Sequence, residues 1–303
     1  MTPNATPILM LAANIPDFDV ISLVNGPLAY LRWHRHLTHS LLAIPVMALL
    51  AVVIVRVLGR QPVKWLPAFG IAVLGVLSHI LLDLTNIYGV RLLLPFSGAW
   101  SHWDITPVID LIIWAILLLG LAAPFLNRIL NSELGVRERS YGAGWAVFSL
   151  LLLIGYDWGR RDLRNMAVAQ LETRKFQGLA PRRTGAFPHQ NPLQWDGIAE
   201  LSVGYVQVPV DIRDTVSREP GDYLFKGERS AALLAAEQTD PFQYLEEFVQ
   251  WPLWTLIPSR ATGNTEVTLR DLRFGSGFSA VAVVDKNGRV LDSKYALGNP
   301  KIK

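Results

Sequence analysis

Four long apolar runs mark the first half of the chain, at about 41–57, 66–85, 105–126 and 141–156, and none recurs after residue 156. A helix that crosses the hydrocarbon core of a bilayer needs roughly 20 predominantly apolar residues, within a range of about 17–25. The third run meets that length, the first two approach it and the fourth is short. A soluble bundle of buried helices would give apolar runs too, but four in succession are unusual for a soluble core. The pattern therefore predicts a membrane α-helical bundle of about four transmembrane helices over residues 1–156.

Beyond residue 156 the texture changes to mixed charge, turn residues and alternation. Residues 157–176 read as a charged helix continuing out of the membrane, and the Pro-, Gly- and Arg-rich stretch 177–197 reads as a linker. LSVGYVQVPV (201–210) alternates as a strand does. Asp240-Pro241 predicts an N-cap with proline at the first helical position, hence a short helix over 241–250 ended by Pro252. FSAVAVV (278–284) and RVL (289–291) flank Asp285-Lys286-Asn287-Gly288, whose Asn-Gly is a hairpin signal. Residues 198–303 are thus expected to form a soluble α+β domain with an antiparallel sheet. No internal repeat or low-complexity tract is present.

The chain has 303 residues, of which 51% are hydrophobic, and a net charge of +3. That small, dispersed charge leaves no nucleic-acid footprint. There is no cysteine, which excludes a disulfide framework and thiolate ligation of a metal. The run ILMLAA (8–13) is short, lacks a preceding basic residue and leads into Asn14, Pro16, Asp17 and Asp19, so it is not expected to be a signal peptide. Arg56, Arg60 and Lys64 lie between the first two predicted helices, and Arg128, Arg137 and Arg139 between the last two. The preference of short basic loops for the cytoplasm places both loops inside and the tail domain outside.

Five of the six histidines fall within the first 102 residues, with carboxylates beside them. HRHLTHS carries His34, His36 and His39. ANIPDFD carries Asp17 and Asp19, SHILLDLTN carries His79 and Asp83, and SHWDITPVID carries Asp104 and Asp110. His79, Asp83 and Asn86 share one helical stripe. An ionisable group in a membrane helix costs about 2.5–3.5 kcal/mol unless it is paired or metal-bound. A structural His–Asp hydrogen bond between helices would be one way to pair it. His34 and His36, with Arg32 and Arg35, could instead form a cationic collar at the lipid headgroups. Neutral histidine is a weak anchor, however, and imidazole is the commonest protein metal ligand. HRHLTHS opens the first predicted helix, HILLD closes the second and SHWD precedes the third, so all of them reach one membrane face. Mixed His/Asp ligation without cysteine suits zinc, with manganese or iron as alternatives. So many ligands suit a two-metal hydrolytic site.

In ANIPDFDV, HRHLTHSLL, SHILLDLTNIYGVRLLLPFS and WDITPVIDLIIW the sequence resembles a family of inner-membrane-associated, metal-dependent hydrolases that includes LexA-regulated members. These stretches cover roughly residues 7–115. The resemblance implies a multi-pass inner-membrane protein whose metal site is related to those of zinc phospholipase C and nuclease enzymes. Carried over by motif, it implies Asp17 and Asp19 from Pro-Asp-x-Asp, His34 and His39 from His-Arg-x-x-Thr-His-Ser, His79 and Asp83 from His-x-x-x-Asp, and Asp104 from the Trp-Asp element. Family members open with Met-Asp-x-x-Thr-His, whereas this sequence starts MTPNATP. Either the start codon is placed too late, which is the expectation, or the metal site is incomplete; an in-frame Asp-x-x-Thr-His segment in the upstream genomic DNA would decide for the first.

The expected function is therefore a metal-dependent hydrolase at the outer membrane face. Asp17, Asp19, His34, His39, His79 and Asp83 would hold the metal, and His34 or Asp104 would serve as general base. Arg32 and Arg35 would hold an anionic substrate, since guanidinium matches phosphate bidentately. A lipid phosphoester is the expected substrate, with the bilayer as partner. The alternatives are a transporter, for which Asp110 would be the carboxylate deepest in the bundle, and a non-catalytic scaffold binding a partner through the tail, with His189 and Trp195 in a loop. Asp211, Asp214, Glu246 and Glu247 read as solvated charges.

Overall fold

A computed structural model describes residues 4–59, 62–133, 142–214, 221–275 and 277–298. Its helical part begins with α1 (Ala5–Asn14), which runs into a 3-10 helix over Ile15–Asn25 and then α2 (Pro27–Trp33). A short 3-10 turn at Leu37–His39 leads into α3 (Ala43–Leu58), followed by α4 (Trp65–Thr85), α5 (Leu111–Glu133) and α6 (Gly142–Thr173). Three segments are long and apolar enough to cross a membrane: Ala5–Asn25, Trp65–Thr85 and Leu111–Glu133. The segment from α2 through α3, bent by 88°, makes up to a fourth.

This set of spans differs from the predicted one at both ends. The N-terminal span was not expected, because Asn14, Asp17 and Asp19 interrupt its apolar run; in the fold Asp17 and Asp19 turn toward the bundle, and Asn14 donates back to Met10 O of its own helix. The fourth predicted span is the first half of α6, which continues without a break into Asp157, Arg160 and Arg161 and is not among the apolar spans. The third span starts at Leu111 instead of 105, because the preceding backbone is engaged elsewhere. Ile105 and Thr106 donate their N–H groups to Thr85 O, at 2.9 and 3.0 Å. Asp110 then caps α5 by accepting from the N–H groups of Ile112 and Ile113. Asp110 therefore sits at the end of a membrane helix, where Tyr156 also donates to it at 2.8 Å.

The helices α1, α3 and α4 form one pack, centred on Ile8, Ala12, Ala48, Ala51, Ala72 and Val76. Small residues let α1 and α4 approach closely. A Cβ placed on Gly75 would meet Ala12 Cβ at 2.9 Å and Leu9 O at 3.1 Å. α5 and α6 pack on each other as a second unit. Arg56 and Lys64 lie at the end of the first pack away from His39 and Asp83; Arg60, Arg137 and Arg139 lie outside the described residues.

The tail contains two four-stranded antiparallel sheets where one was expected. The first is β1 (Arg183–Pro188), β2 (Gln194–Glu200), β3 (Gly204–Asp211) and β4 (Asp222–Phe225), in that order. Stretch 177–197, expected as a linker, supplies β1 and the start of β2, and buries Ala186, Phe187 and Trp195. The second sheet is β5 (Pro252–Pro258), β6 (Thr265–Asp271), β7 (Phe278–Val284) and β8 (Val290–Leu297). Two helices, α7 (Ala231–Glu237) and α8 (Asp240–Phe248), pack against it through Ala236, Phe242, Leu245 and Phe248. Thr239, not Asp240, is the N-cap of α8, and Asp240 lies in its first turn. The β7–β8 hairpin forms at the Asn-Gly signal, with Gly288 at φ +80° and the Asp285 carboxylate accepting from the N–H groups of Asn287 and Arg289.

The tail docks onto the end of the helical part where the histidines gather. Arg160 of α6 is buried, donates to Ile105 O at 2.7 Å and to His189 O at 3.3 Å, and stacks on the buried Trp195. Glu247, read from sequence as solvated, accepts from Arg91 at 2.9 Å. Arg273 pairs with Asp271 at 2.7 Å, both side chains being fully buried, and donates to Ile87 O at 2.7 Å. Removing one partner of such a pair leaves an uncompensated charge. Asp271→Ala is therefore expected to destabilise the tail by about 3–5 kcal/mol in thermal unfolding.

Candidate metal centre

The loop between α2 and α3, the 3-10 helix after α1 and the last two turns of α4 meet at one point. At 1.5 Å per residue, His79 stands roughly 20 Å along α4 from its Trp65 end, within the last two turns before Thr85. There His39 Nε2, His79 Nε2, one oxygen of Asp17 and one of Asp83 converge, all within 4.8 Å of one another. His39 Nε2 lies 3.2 Å from His79 Nε2, 3.3 Å from Asp17 Oδ1 and 3.3 Å from Asp83 Oδ2. His79 Nε2 lies 3.4 Å from Asp17 Oδ1 and 3.3 Å from Asp83 Oδ2.

These spacings match a candidate cation site more closely than a tight His–Asp hydrogen bond. Charge-assisted N–H···O bonds close to about 2.7–2.9 Å, as the histidine–carboxylate pairs His34–Asp19 and His102–Asp104 do here, both at 2.7 Å. Around the cluster these five distances are longer, at 3.2–3.4 Å. A tetrahedron with metal–ligand bonds of about 2.0–2.1 Å has edges of about 3.3–3.4 Å. An octahedral ion at about 2.1 Å would set neighbouring ligands about 3.0 Å apart. Asp17 Oδ1 and Asp83 Oδ2 are also buried without a hydrogen-bond partner, which is costly for a carboxylate unless a cation compensates it. The donor set and its spacing fit zinc.

The surrounding groups leave the lone pairs facing inward. His79 Nδ1 donates to Ala13 O at 2.8 Å, so the neutral ring presents its Nε2 lone pair to the cluster. Thr38 Oγ1 donates to Asp19 Oδ2 at 2.7 Å and accepts from His39 Nδ1 at 2.9 Å, so His39 Nε2 is bare as well. Imidazole ligands are typically fixed in this way, through a carbonyl or carboxylate on the far nitrogen. Asp83 Oδ1 pairs with Arg35 at 2.7 Å. Arg35 in turn donates to Asn86 Oδ1 at 3.1 Å and Gly89 O at 3.3 Å and stacks on Tyr88. It adopts φ +55°, uncommon for a residue with a side chain, and its N–H donates to Asp19 Oδ2 at 3.0 Å. Tyr88 belongs to the tail's aromatic core with Phe248, Phe274 and Phe278. A chain of contacts thus runs from the tail through Tyr88 and Arg35 to Asp83.

Of the residues expected at the site, Asp17, His39, His79 and Asp83 form the cluster. Asp19 and His34 lie beside it, and with Asp17 they make a second trio within 4.8 Å. Asp104 does not join them: it pairs with His102 at 2.7 Å and with Arg164 at 3.4 Å, in the loop before α5. Arg35, expected on the substrate, faces inward to Asp83. Arg32 lies over Trp33 and Tyr244 and, with His36 and Arg91, lines a separate cavity of about 230 Å³. Thr38 and Tyr88 were missed from sequence. Thr38 is legible in hindsight as the neighbour of His39 in HLTHS, whereas no local pattern marks Tyr88. Asp17 is the open corner of the cluster, its side chain 48% exposed, while those of His39 and Asp83 are buried.

Comparison with known proteins adds a family. The family described as "YdjM inner membrane protein" matches residues 2–161, just over half of the chain, and takes in all four ligands. An "Uncharacterized protein YfhP" from Bacillus subtilis (strain 168) is 30% identical over 98 residues, 32% of this chain. The match spans 30% of that relative's length. No solved structure matches. With three to four apolar spans and a family match covering the whole helical core, the chain is a multi-pass membrane protein and belongs to the YdjM inner membrane protein family.

Proposed function

We propose that the protein is a metal-dependent hydrolase that cleaves phosphoesters at the Asp17–His39–His79–Asp83 cluster. The observation that carries this reading is the near-tetrahedral spacing of four donor atoms, two of them buried carboxylate oxygens otherwise without partners. A zinc ion held by these four residues would supply a Lewis acid for a phosphoryl oxygen and would bring the pKa of water near 7. Asp17 provides the exposed corner through which water reaches the site. His34, whose Nδ1 donates to Asp19 at 2.7 Å beside that corner, would take up on its Nε2 the proton released when water attacks. Arg35 pairs with Asp83 and aims it.

A transport reading receives less support. Its one candidate carboxylate along the third span, Asp110, caps the end of α5, at the same end of the molecule as the cluster. The positive-inside pattern supports placing the cluster and tail on the outer face of the inner membrane.

Protein purified in detergent is expected to carry zinc and to hydrolyse bis(4-nitrophenyl) phosphate. Chelation should abolish the activity and added zinc restore it. Metal-free protein from zinc-replete cells, inert after zinc addition, would overturn the proposal.

A further inference from the structure

The metal cluster is bordered by a second feature, a cleft between the two helical packs. α4 packs on α1 and α3, α5 packs on α6, and among the described residues no extended packing joins α4 to α5. Where the two packs diverge lies a cavity of about 220 Å³. One end is polar, with Asp83, Asn86, Thr106 and Asp110, and the other is walled by Leu82, Trp114 and Leu117. His79, Leu82, Asp83 and Asn86 occupy positions i, i+3, i+4 and i+7 of one helical stripe, so the cleft and the cluster share a face of α4. Trp114 is 57% exposed on the side that opens between the spans.

From this we infer that the substrate is a membrane-resident lipid ester that reaches the cluster sideways from the bilayer, between α4 and α5. The inference rests on the hydrolase reading and names its substrate class. Three features select a lipid over a soluble ester. The apolar wall lies on two membrane spans, so the phase in contact with it is hydrocarbon. The cavity is smaller than the roughly 300–1,000 Å³ that encloses a whole ligand, so it seats one segment of an occupant whose remainder lies outside. Polarity changes along the cleft in the order of a lipid, chain at Trp114 and Leu117, ester linkage at Asp83. In the reaction the water oxygen bonds to phosphorus and the bond from phosphorus to the leaving oxygen breaks. One water proton stays on the phosphate and the other reaches the leaving oxygen.

The test uses two probes that release the same 4-nitrophenol. One is hexadecyl 4-nitrophenyl phosphate in phosphatidylcholine vesicles holding the reconstituted full-length protein. The other is water-soluble bis(4-nitrophenyl) phosphate. Leu117→Trp, which fills the cleft, is expected to lower turnover of the hexadecyl ester by about tenfold or more. Turnover of the soluble ester and zinc content should stay at the wild-type level. Should Leu117→Trp lose its zinc through misfolding, Val108→Trp fills the same cleft from the preceding loop and decides the matter. Equal loss on both esters, or loss on neither, overturns the lateral route and leaves the hydrolase reading standing. A wild-type protein that turns over neither ester overturns both.

Discussion

His79→Ala is expected to take the protein from about one bound zinc per chain to a trace. His79 supplies one of four donors, and its imidazole also separates Asp17 from Asp83, at 3.4 and 3.3 Å. Without it two carboxylates face one another beside a single histidine, and Ala13 O loses its donor. Elemental analysis of the detergent-purified variant measures the loss directly. Thermal unfolding with and without chelator gives a second readout. A ligand bound only to the folded state stabilises it by mass action, so chelator should lower the unfolding temperature of the wild type and leave that of His79→Ala unmoved. If the cluster were only a hydrogen-bonded tie between helices, the variant would lose stability with no metal to lose. Retention of stoichiometric zinc by His79→Ala would remove the metal centre as described.

Arg35→Ala is expected to weaken zinc binding by about 10–100-fold, the usual consequence of removing a group that orients a ligand. Arg35 is 7% exposed and holds Asp83 Oδ1 at 2.7 Å, while the nearest other donor to that oxygen, Asn86 Nδ2, stands at 3.5 Å. Truncation also leaves a buried carboxylate unpaired, with a cost of about 3–5 kcal/mol in global stability. Competition with a chromophoric chelator measures the affinity, and thermal unfolding the stability. Arg35→Lys should not restore either value. The guanidinium bonds Asp83 through one nitrogen and Asn86 and Gly89 through another, a fork that an ammonium cannot reproduce. A lysine variant with wild-type zinc affinity would reduce Arg35 to a point charge.

Much of the helical part was legible because its signals are local. An apolar run of span length has few outcomes other than a membrane helix, and α3, α4 and α5 lie where runs of that kind occur. The i, i+4 relation of His79 and Asp83 fixes them on one face of α4 before any tertiary contact exists. The first span was harder to see, because Asp17 and Asp19 break its apolar run; Asp17 belongs to the interior cluster and Asp19 lies beside it. In the tail, the Asn287-Gly288 hairpin and the proline at the start of α8 were legible for the same local reason. β1 and β2 were hidden among prolines and arginines, since their strand character comes from burial against Leu171 and Trp251, far away in sequence.

Alone, the amino-acid sequence determined the membrane class, the chemistry of the donors and the membrane face they share, since these follow from hydropathy, residue type and helical period. Only the tertiary structure decided which donors meet. Asp17 joins because α1 and α4 close to contact at Ala12 and Gly75, and Asp104 stays out because His102 and Arg164 hold it in another loop. It also turned Arg35 from a surface cation into the support of Asp83. Whether two polar groups bond depends on distances of a few tenths of an ångström, set by packing between segments that local pattern cannot relate.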